Sequence, residues 1–158
     1  MNADIEAIND LVGPLLGRPA WNVRVGVGSN LSLEFGGPTT PYADGVVFGE
    51  WHLWVSMAAW RLDGANGVIA GSEDPRASLE SAAQMLEGRV LTAVDVQPPG
   101  LETVFEFESL GVHVFPLFSR PQSTDPLASW MLWMPSGRIL SVGPGSSWSV
   151  EEAKAGPG

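Results

Sequence analysis

An α+β domain built on a mostly antiparallel sheet is what this sequence predicts, and three features carry the prediction. From Trp21 onward, short runs alternate apolar with polar residues, which is the period of a half-buried strand. Turn-forming stretches of Gly, Pro, Asn and Asp separate these runs and suit hairpins. Only one well-formed helical pattern lies between strands, whereas parallel pairing needs a crossover helix for each return. The expected architecture is an open barrel or a two-layer sheet of about eight or nine strands, with one or two packed helices.

The elements follow in order. Residues 4–16 place Ile5, Ile8, Leu11, Val12, Leu15 and Leu16 at helical spacing behind Asp4 as N-cap, and Pro14 should kink or end the helix early. Trp21, Val23, Val25 and Val27 alternate with polar or small residues, and Gly28-Ser29-Asn30 turns the chain into the run of Leu31, Leu33 and Phe35. Residues 36–45 form a long loop without periodicity, a candidate lid or binding loop. One long strand is expected over residues 47–62, with Trp51, Leu53, Val55 and Met57 on one face and Glu50, His52, Trp54, Ser56 and Trp60 on the other. Residues 63–67 turn it back into a short strand at 68–70. A helix follows, with N-cap oxygens from Ser72 and Asp74, Pro75 in its first turn, a stripe of Leu79, Ala82, Ala83 and Leu86, and Gly88 as its stop. Strands are expected at 89–97, 101–108 and 112–118, where Pro116 suggests an edge position or a bulge. Residues 119–127 read as a second loop, and 129–134 with 138–142 as a final hairpin.

At 158 residues and 16.8 kDa the chain reads as a single domain over residues 1–150 with a flexible tail at 151–158. Hydrophobic residues at 44% against 16% charged argue against disorder. Eight basic and eighteen acidic residues give a net charge of −10. Each half of the chain (1–79 and 80–158) holds four basic and nine acidic residues, so the acidity is spread evenly. That charge repels phosphate backbones and anionic membranes, which excludes nucleic acid as the expected partner. The absence of Cys excludes disulfides, thiolate metal sites and a cysteine nucleophile. No apolar run reaches the roughly 18 residues of a membrane span, and the acidic start is unlike a secretory signal, so a cytoplasmic protein is expected.

Chemical motifs are scarce. Gly26-Val27-Gly28 lacks the third Gly of a dinucleotide fingerprint and is followed by a strand pattern. The segment at 143–148 is Gly-rich but has no Lys and no following helix. It reads as a rigid turn, or as a loop offering Ser146, Ser147 and backbone N–H groups to a small ligand beside Trp148. Glu50 and His52 share a strand face about 7 Å apart, too far for a direct bond but near enough to share a water or a cation. His113 either faces a carboxylate such as Glu108 across a strand pair or, one residue out of register, joins Phe105 and Phe107 on the apolar side. Seven Trp in so short a chain is the unusual feature, and Trp51 with Trp54 cannot share one side of a regular strand. Some indoles therefore fill the core, and others are available to line a pocket or anchor an interface.

The strings Gly49-Glu50-Trp51-His52-Leu53-Trp54, Trp60-Arg61, Gly71-Ser72-Glu73-Asp74 and Gly143-Pro144-Gly145-Ser146-Ser147-Trp148 resemble a group of small bacterial proteins of unknown function. The likeness covers most of residues 15–150 and implies no activity, cofactor or catalytic residue. The expected function is that of a non-enzymatic binding module for a protein partner, a basic one by charge, and an immunity-protein-like role is its sharpest form. A small-molecule binder with a Trp-lined pocket is the alternative, followed by a metal enzyme using Glu50, His52 and His113. The candidate binding residues are Glu50, His52, Trp54, Trp60, Ser146, Ser147 and Trp148, with no cofactor expected.

Overall fold

The computed structural model describes residues 2–39, 41, 45–120 and 128–153. The expected loops at 36–45 and 119–127 and the tail at 151–158 therefore fall partly outside the described residues. The chain begins with α1 (Asn2–Val12), and a 3-10 turn at Gly13–Leu15 holds Pro14 where the helix was expected to break. Strands β1 (Trp21–Val25), β2 (Leu31–Pro38), β3 (Gly49–Val55), β4 (Ala58–Gly64) and β5 (Gly67–Gly71) lead to α2 (Arg76–Leu86). Then come β6 (Leu91–Gln97), β7 (Glu102–Phe107), β8 (Leu110–Pro116), β9 (Trp130–Trp133), β10 (Arg138–Val142) and β11 (Trp148–Glu152).

Every strand pairing is antiparallel. One sheet has six strands in the order β1-β2-β3-β9-β10-β11, and the other has five in the order β5-β4-β8-β7-β6. Neither closes, which makes the fold mostly β: two open sheets with two short helices. Their inner faces share one core. Phe35 stacks on Phe107 at 6.3 Å, and Phe105 meets Trp130 edge-on at 5.1 Å. The Trp130 indole N–H donates to the buried Thr103 hydroxyl at 3.0 Å, so the deepest indole has its acceptor. Ile8 and Val12 of α1 and Leu79, Ala82, Ala83 and Leu86 of α2 enter the same core. Both helices thus enter the core along edge strands, α2 against β1 and β5 and α1 against β6. Among the described residues no helix is long and apolar enough to cross a membrane.

Among the described residues there are eleven strands, above the expected eight or nine, for two reasons. The run expected as one strand over 47–62 breaks at Ser56-Met57, where the chain passes from the first sheet to the second. In β3 the odd residues Trp51, Leu53 and Val55 face the core; in β4 the even residues Ala58, Trp60 and Leu62 do. A continuous strand would send one of these sets outward, because side chains alternate with period two. The two-residue step resets the parity. Its backbone is held by Ser56 N and Met57 N donating to Ser129 O and Ala128 O at 3.2 and 3.3 Å. Trp60, expected on the face of His52, is therefore in the core, and Met57 is exposed.

The second addition is β11. Residues 151 and 152, assigned to a tail, pair with Ile139 and Arg138, while Trp148 and Val150 pack on the core.

Three smaller expectations change. Ser72 does not cap α2: its hydroxyl accepts the Trp60 backbone N–H at 3.1 Å, and Asp74 accepts Gly71 N–H at 2.9 Å. Pro116 ends an interior strand, β8, beyond its last pairing with β7, where no ladder N–H is needed. His113 pairs with Val104 and Arg61, so it faces outward, away from Phe105 and Phe107 and not across from Glu108.

One alanine inserted between Ser56 and Met57 should turn Ala58, Trp60 and Leu62 outward and cost more than about 5 kcal/mol, most of a small domain's stability. Two inserted residues restore the parity and should be tolerated far better. Thermal melts followed by near-UV circular dichroism distinguish the two cases.

Candidate functional site

The outward face of the six-stranded sheet holds a fully buried carboxylate. Glu34 sits on β2 between the core residues Leu33 and Phe35, so its side chain points away from the core, yet none of it reaches solvent. Desolvating a carboxylate costs several kcal/mol, on the order of what a single buried ion pair returns, unless its oxygens are well bonded. Here three donors meet them. Gly49 N–H reaches Oε1 at 2.8 Å, and His52 Nδ1 and Arg24 Nη1 reach Oε2 at 2.6 and 3.0 Å. Gly49 is at this position for steric reasons: a Cβ there would lie 2.5 Å from Phe35 O and 3.2 Å from Glu34 Cβ. The close approach of β3 to β2 that brings its N–H to the carboxylate has no room for a side chain.

Register builds the rest of the site. Glu34, His52, Trp133 and Ile139 lie side by side across β2, β3, β9 and β10, and the neighbouring outward row is Ser32, Trp54, Met131 and Ser141. The buried His52 ring lies between Phe48 and Trp133, with centroids at 5.0 and 5.3 Å, and Trp54 leans on Trp133 at 6.2 Å. Because a carboxylate only accepts, the proton between His52 and Glu34 belongs on Nδ1, and in the tautomer carrying that single ring proton Nε2 is an acceptor. Among the described residues no hydrogen bond reaches Nε2. The Trp133 indole nitrogen is buried and also lacks a partner. An orphaned buried donor costs about 1–3 kcal/mol, which makes this a place where something is missing from the hydrogen-bond inventory.

A carboxylate-oriented imidazole is the unit that general bases and metal ligands employ. Among the described residues, though, no three His, Asp or Glu side chains converge to hold a cation. Both Glu34 oxygens are already engaged.

The structure divides the sequence-predicted site residues among three places. His52 and Trp54 share the outward face of the six-stranded sheet. Glu50, on the same strand but exposed, accepts Gly37 N–H at 2.7 Å and leaves His52 to Glu34. Trp60 is a core residue whose indole donates to Ser29 O at 2.6 Å, tying the β1–β2 turn to the second sheet. Ser146 donates to Pro99 O at 2.7 Å, tying its turn to the one between β6 and β7, and Ser147 donates to Pro144 O at 2.6 Å within its own turn, so both hydroxyls are engaged inside the chain. That turn lies beyond the row Val55, Trp130, Val142 and Trp148, about 10 Å further along the strands than His52. Trp148 faces the core from there. His52 and His113 point outward from opposite sheets, so Glu50, His52 and His113 do not meet. The residues that sequence reasoning missed are Glu34, Arg24, Phe48 and Trp133. Their only sequence signal was Ser32 and Glu34 alternating with apolar residues, which read as a solvent face.

The outward face of the five-stranded sheet is different. Asp63, Asp95, Glu106, Glu108 and His113 line an open hollow of about 330 Å³. Arg61 forks onto Asp63 at 2.7 and 2.8 Å, and His113 Nε2 approaches the same carboxylate at 3.1 Å. Phe115 stacks on His113 at 6.2 Å and lies under the Arg61 guanidinium at 5.4 Å.

No family model matches the chain, no curated protein matches it and no solved structure matches it, so these comparisons identify no family.

Two predictions follow from this geometry. Glu34→Ala leaves the His52 and Gly49 N–H groups buried without an acceptor and should cost about 3–5 kcal/mol in urea unfolding, against about 1–3 kcal/mol for Glu34→Gln. The second concerns Asp63, whose carboxyl is held below the usual range by the Arg61 hydrogen bonds, with partial burial opposing and the charges of Arg61 and His113 assisting. Its folded-state value is thus below the unfolded one. The stability this supplies is present above the ordinary Asp range and is lost as pH falls through the lowered value. Asp63→Asn should cost less than about 1 kcal/mol at neutral pH, because the pair is open to water. Melts recorded down through about pH 3 should show the gap to the parent protein closing.

Proposed function

We propose that this protein is a cytoplasmic binding module with no chemistry of its own, and that it engages a basic protein partner through the outward face of the five-stranded sheet. The observation that carries the reading is the acidic hollow between β4, β6, β7 and β8. Among the described residues no ion pair neutralises Asp95, Glu106 or Glu108. Arg61, paired in register with His113, is bound to Asp63. Arg18, Arg24 and Arg76 are also held by contacts within the chain. Arg18 lies over Trp51, Arg24 bonds Glu34, and Arg76 bonds Gly26 O, Gly28 O and Glu80. The net charge of −10 is therefore poorly screened at the surface, and the hollow suits a guanidinium or ammonium group from a partner. Exposed Phe115 and Leu117 at the end of β8 supply the apolar anchor such an interface needs. An immunity-like role, masking the basic surface of a toxin, is the sharpest form of this reading.

The test uses an arginine-rich peptide, with a glutamate-rich peptide of the same length as control. Amide shifts should concentrate on β4, β7 and β8, and affinity should fall steeply as salt rises. Asp95→Lys with Glu106→Lys should weaken binding about tenfold or more. Glu6→Lys with Asp10→Lys on α1, an equal change of charge on exposed sites, should leave it within about twofold. Equal losses in the two double variants would show that net charge alone attracts the peptide and would overturn the proposal.

A further inference from the structure

The row Glu34, His52 and Trp133 carries an unmet pairing of its own, independent of the acidic hollow. His52, 4% exposed, has one nitrogen on Glu34 and the other without a partner among the described residues. On the adjacent strand, with its ring 5.3 Å away, Trp133 holds a buried N–H without an acceptor. The imidazole nitrogen is open to a donor, and on the adjoining ring the buried indole N–H lacks an acceptor. A water could meet both, but a buried water is normally held by about three polar partners, and here the surroundings are the rings of Phe48, Trp54 and Trp133. A cation is disfavoured by the indole N–H and by the full engagement of both Glu34 oxygens. An anion is disfavoured by the Glu34 charge 2.6 Å from the imidazole, where Arg24 is already committed to that carboxylate.

We propose that this face is a binding site for a small, planar, uncharged molecule with a hydrogen-bond donor beside an acceptor, as in a lactam. Its N–H donates to His52 Nε2, its carbonyl accepts the Trp133 indole N–H, and its ring lies against the aromatic side chains. Glu34 acts as the positioning residue, since its bond to Nδ1 fixes the tautomer that leaves Nε2 free to accept.

The probe is α-pyridone, with N-methyl-α-pyridone, which has lost the donor, as control. Titrated into the full chain, α-pyridone should move the Trp133 indole N–H resonance, identified by its absence in Trp133→Phe, and the N-methyl compound should not. His52→Asn keeps a donor at the position of Nδ1 for Glu34 and removes the Nε2 acceptor, whereas Trp133→Phe keeps an aromatic ring and removes the donor. Each should weaken α-pyridone about tenfold, the loss of one hydrogen bond. If His52→Asn fails to fold, Trp133→Phe and the N-methyl control still decide the matter. The proposal is overturned if the indole resonance is unmoved at millimolar α-pyridone, if both pyridones bind equally, or if a folded variant binds as the parent does.

Discussion

The two-residue step at Ser56-Met57 is the constraint on which the arrangement rests. One continuous chain segment feeds the inner face of both sheets, and it does so by changing the parity of its side chains between Val55 and Ala58. With the parity set, Trp51, Leu53 and Val55 meet Ala58, Trp60 and Leu62 in one core. The residues between them are then sent outward in opposite directions: His52 and Trp54 from one sheet, Arg61 and Asp63 from the other. Both candidate sites are consequences of that choice. Neither could be built on a straight strand, because one of the two core-facing sets would then point outward.

Glu34 is a costly way to hold two strands together, and the physical question is what the cost secures. Apolar residues of similar volume would often be as stabilising as a buried ion network or more so. The alternation of Leu31, Leu33 and Phe35 already selects which face is buried, and the three-donor carboxylate adds a pairing that a slip of β3 would break. A one-residue slip of β3 against β2 would separate Glu34 from His52 and place Gly49, the one residue there without a side chain, away from the close approach at Phe35. The carboxylate thus acts on specificity of pairing as well as on the imidazole. The same register aligns His52 with Trp133 on the next strand.

Most hairpins were legible because they are local. The alternation at Trp21–Val25 and Leu31–Pro38 and the turns of Gly and Asn between strands are properties of neighbouring residues. The stripe of α2 was legible for the same reason. The break at Ser56-Met57 was not, because Ser, Met and Ala continue an alternating pattern plausibly, and only the partner strands reveal that the faces exchange. Trp148 and Val150 did alternate with Ser149 and Glu151, so β11 had a signal. It was masked by the glycines that precede it and by proximity to the end of the chain. The site was the least legible part. Glu50 and His52 were paired by spacing along one strand, but a strand holds its next-but-one residues about 7 Å apart and brings cross-strand neighbours about 5 Å apart. Glu34, eighteen positions away in sequence, becomes the partner for that reason.

The two outward faces divide the chain's polar chemistry in a way that composition alone hides. At the centre of the six-stranded sheet's face, Arg24 and the His52 ring are engaged on Glu34 with aromatic rings around them, so that part selects by hydrogen-bond pattern and shape, while Glu50 and Glu151 stay exposed on the same face. On the five-stranded sheet most carboxylates stay unpaired and open to water, so the face acts at a distance, through a field that salt screens within about 10 Å. An even distribution of acidic residues along the sequence therefore gives no even distribution in space. Alternation within strands sorts Glu34 to one side of the molecule and Asp63, Asp95 and Glu106 to the other. A partner drawn in by the acidic side need not disturb a ligand on the opposite side, because the shared core of Phe35, Phe107, Phe105 and Trp130 stands between them. Any coupling between the two faces would pass through that core, or through the Ser56-Met57 step where β3 of one sheet continues as β4 of the other.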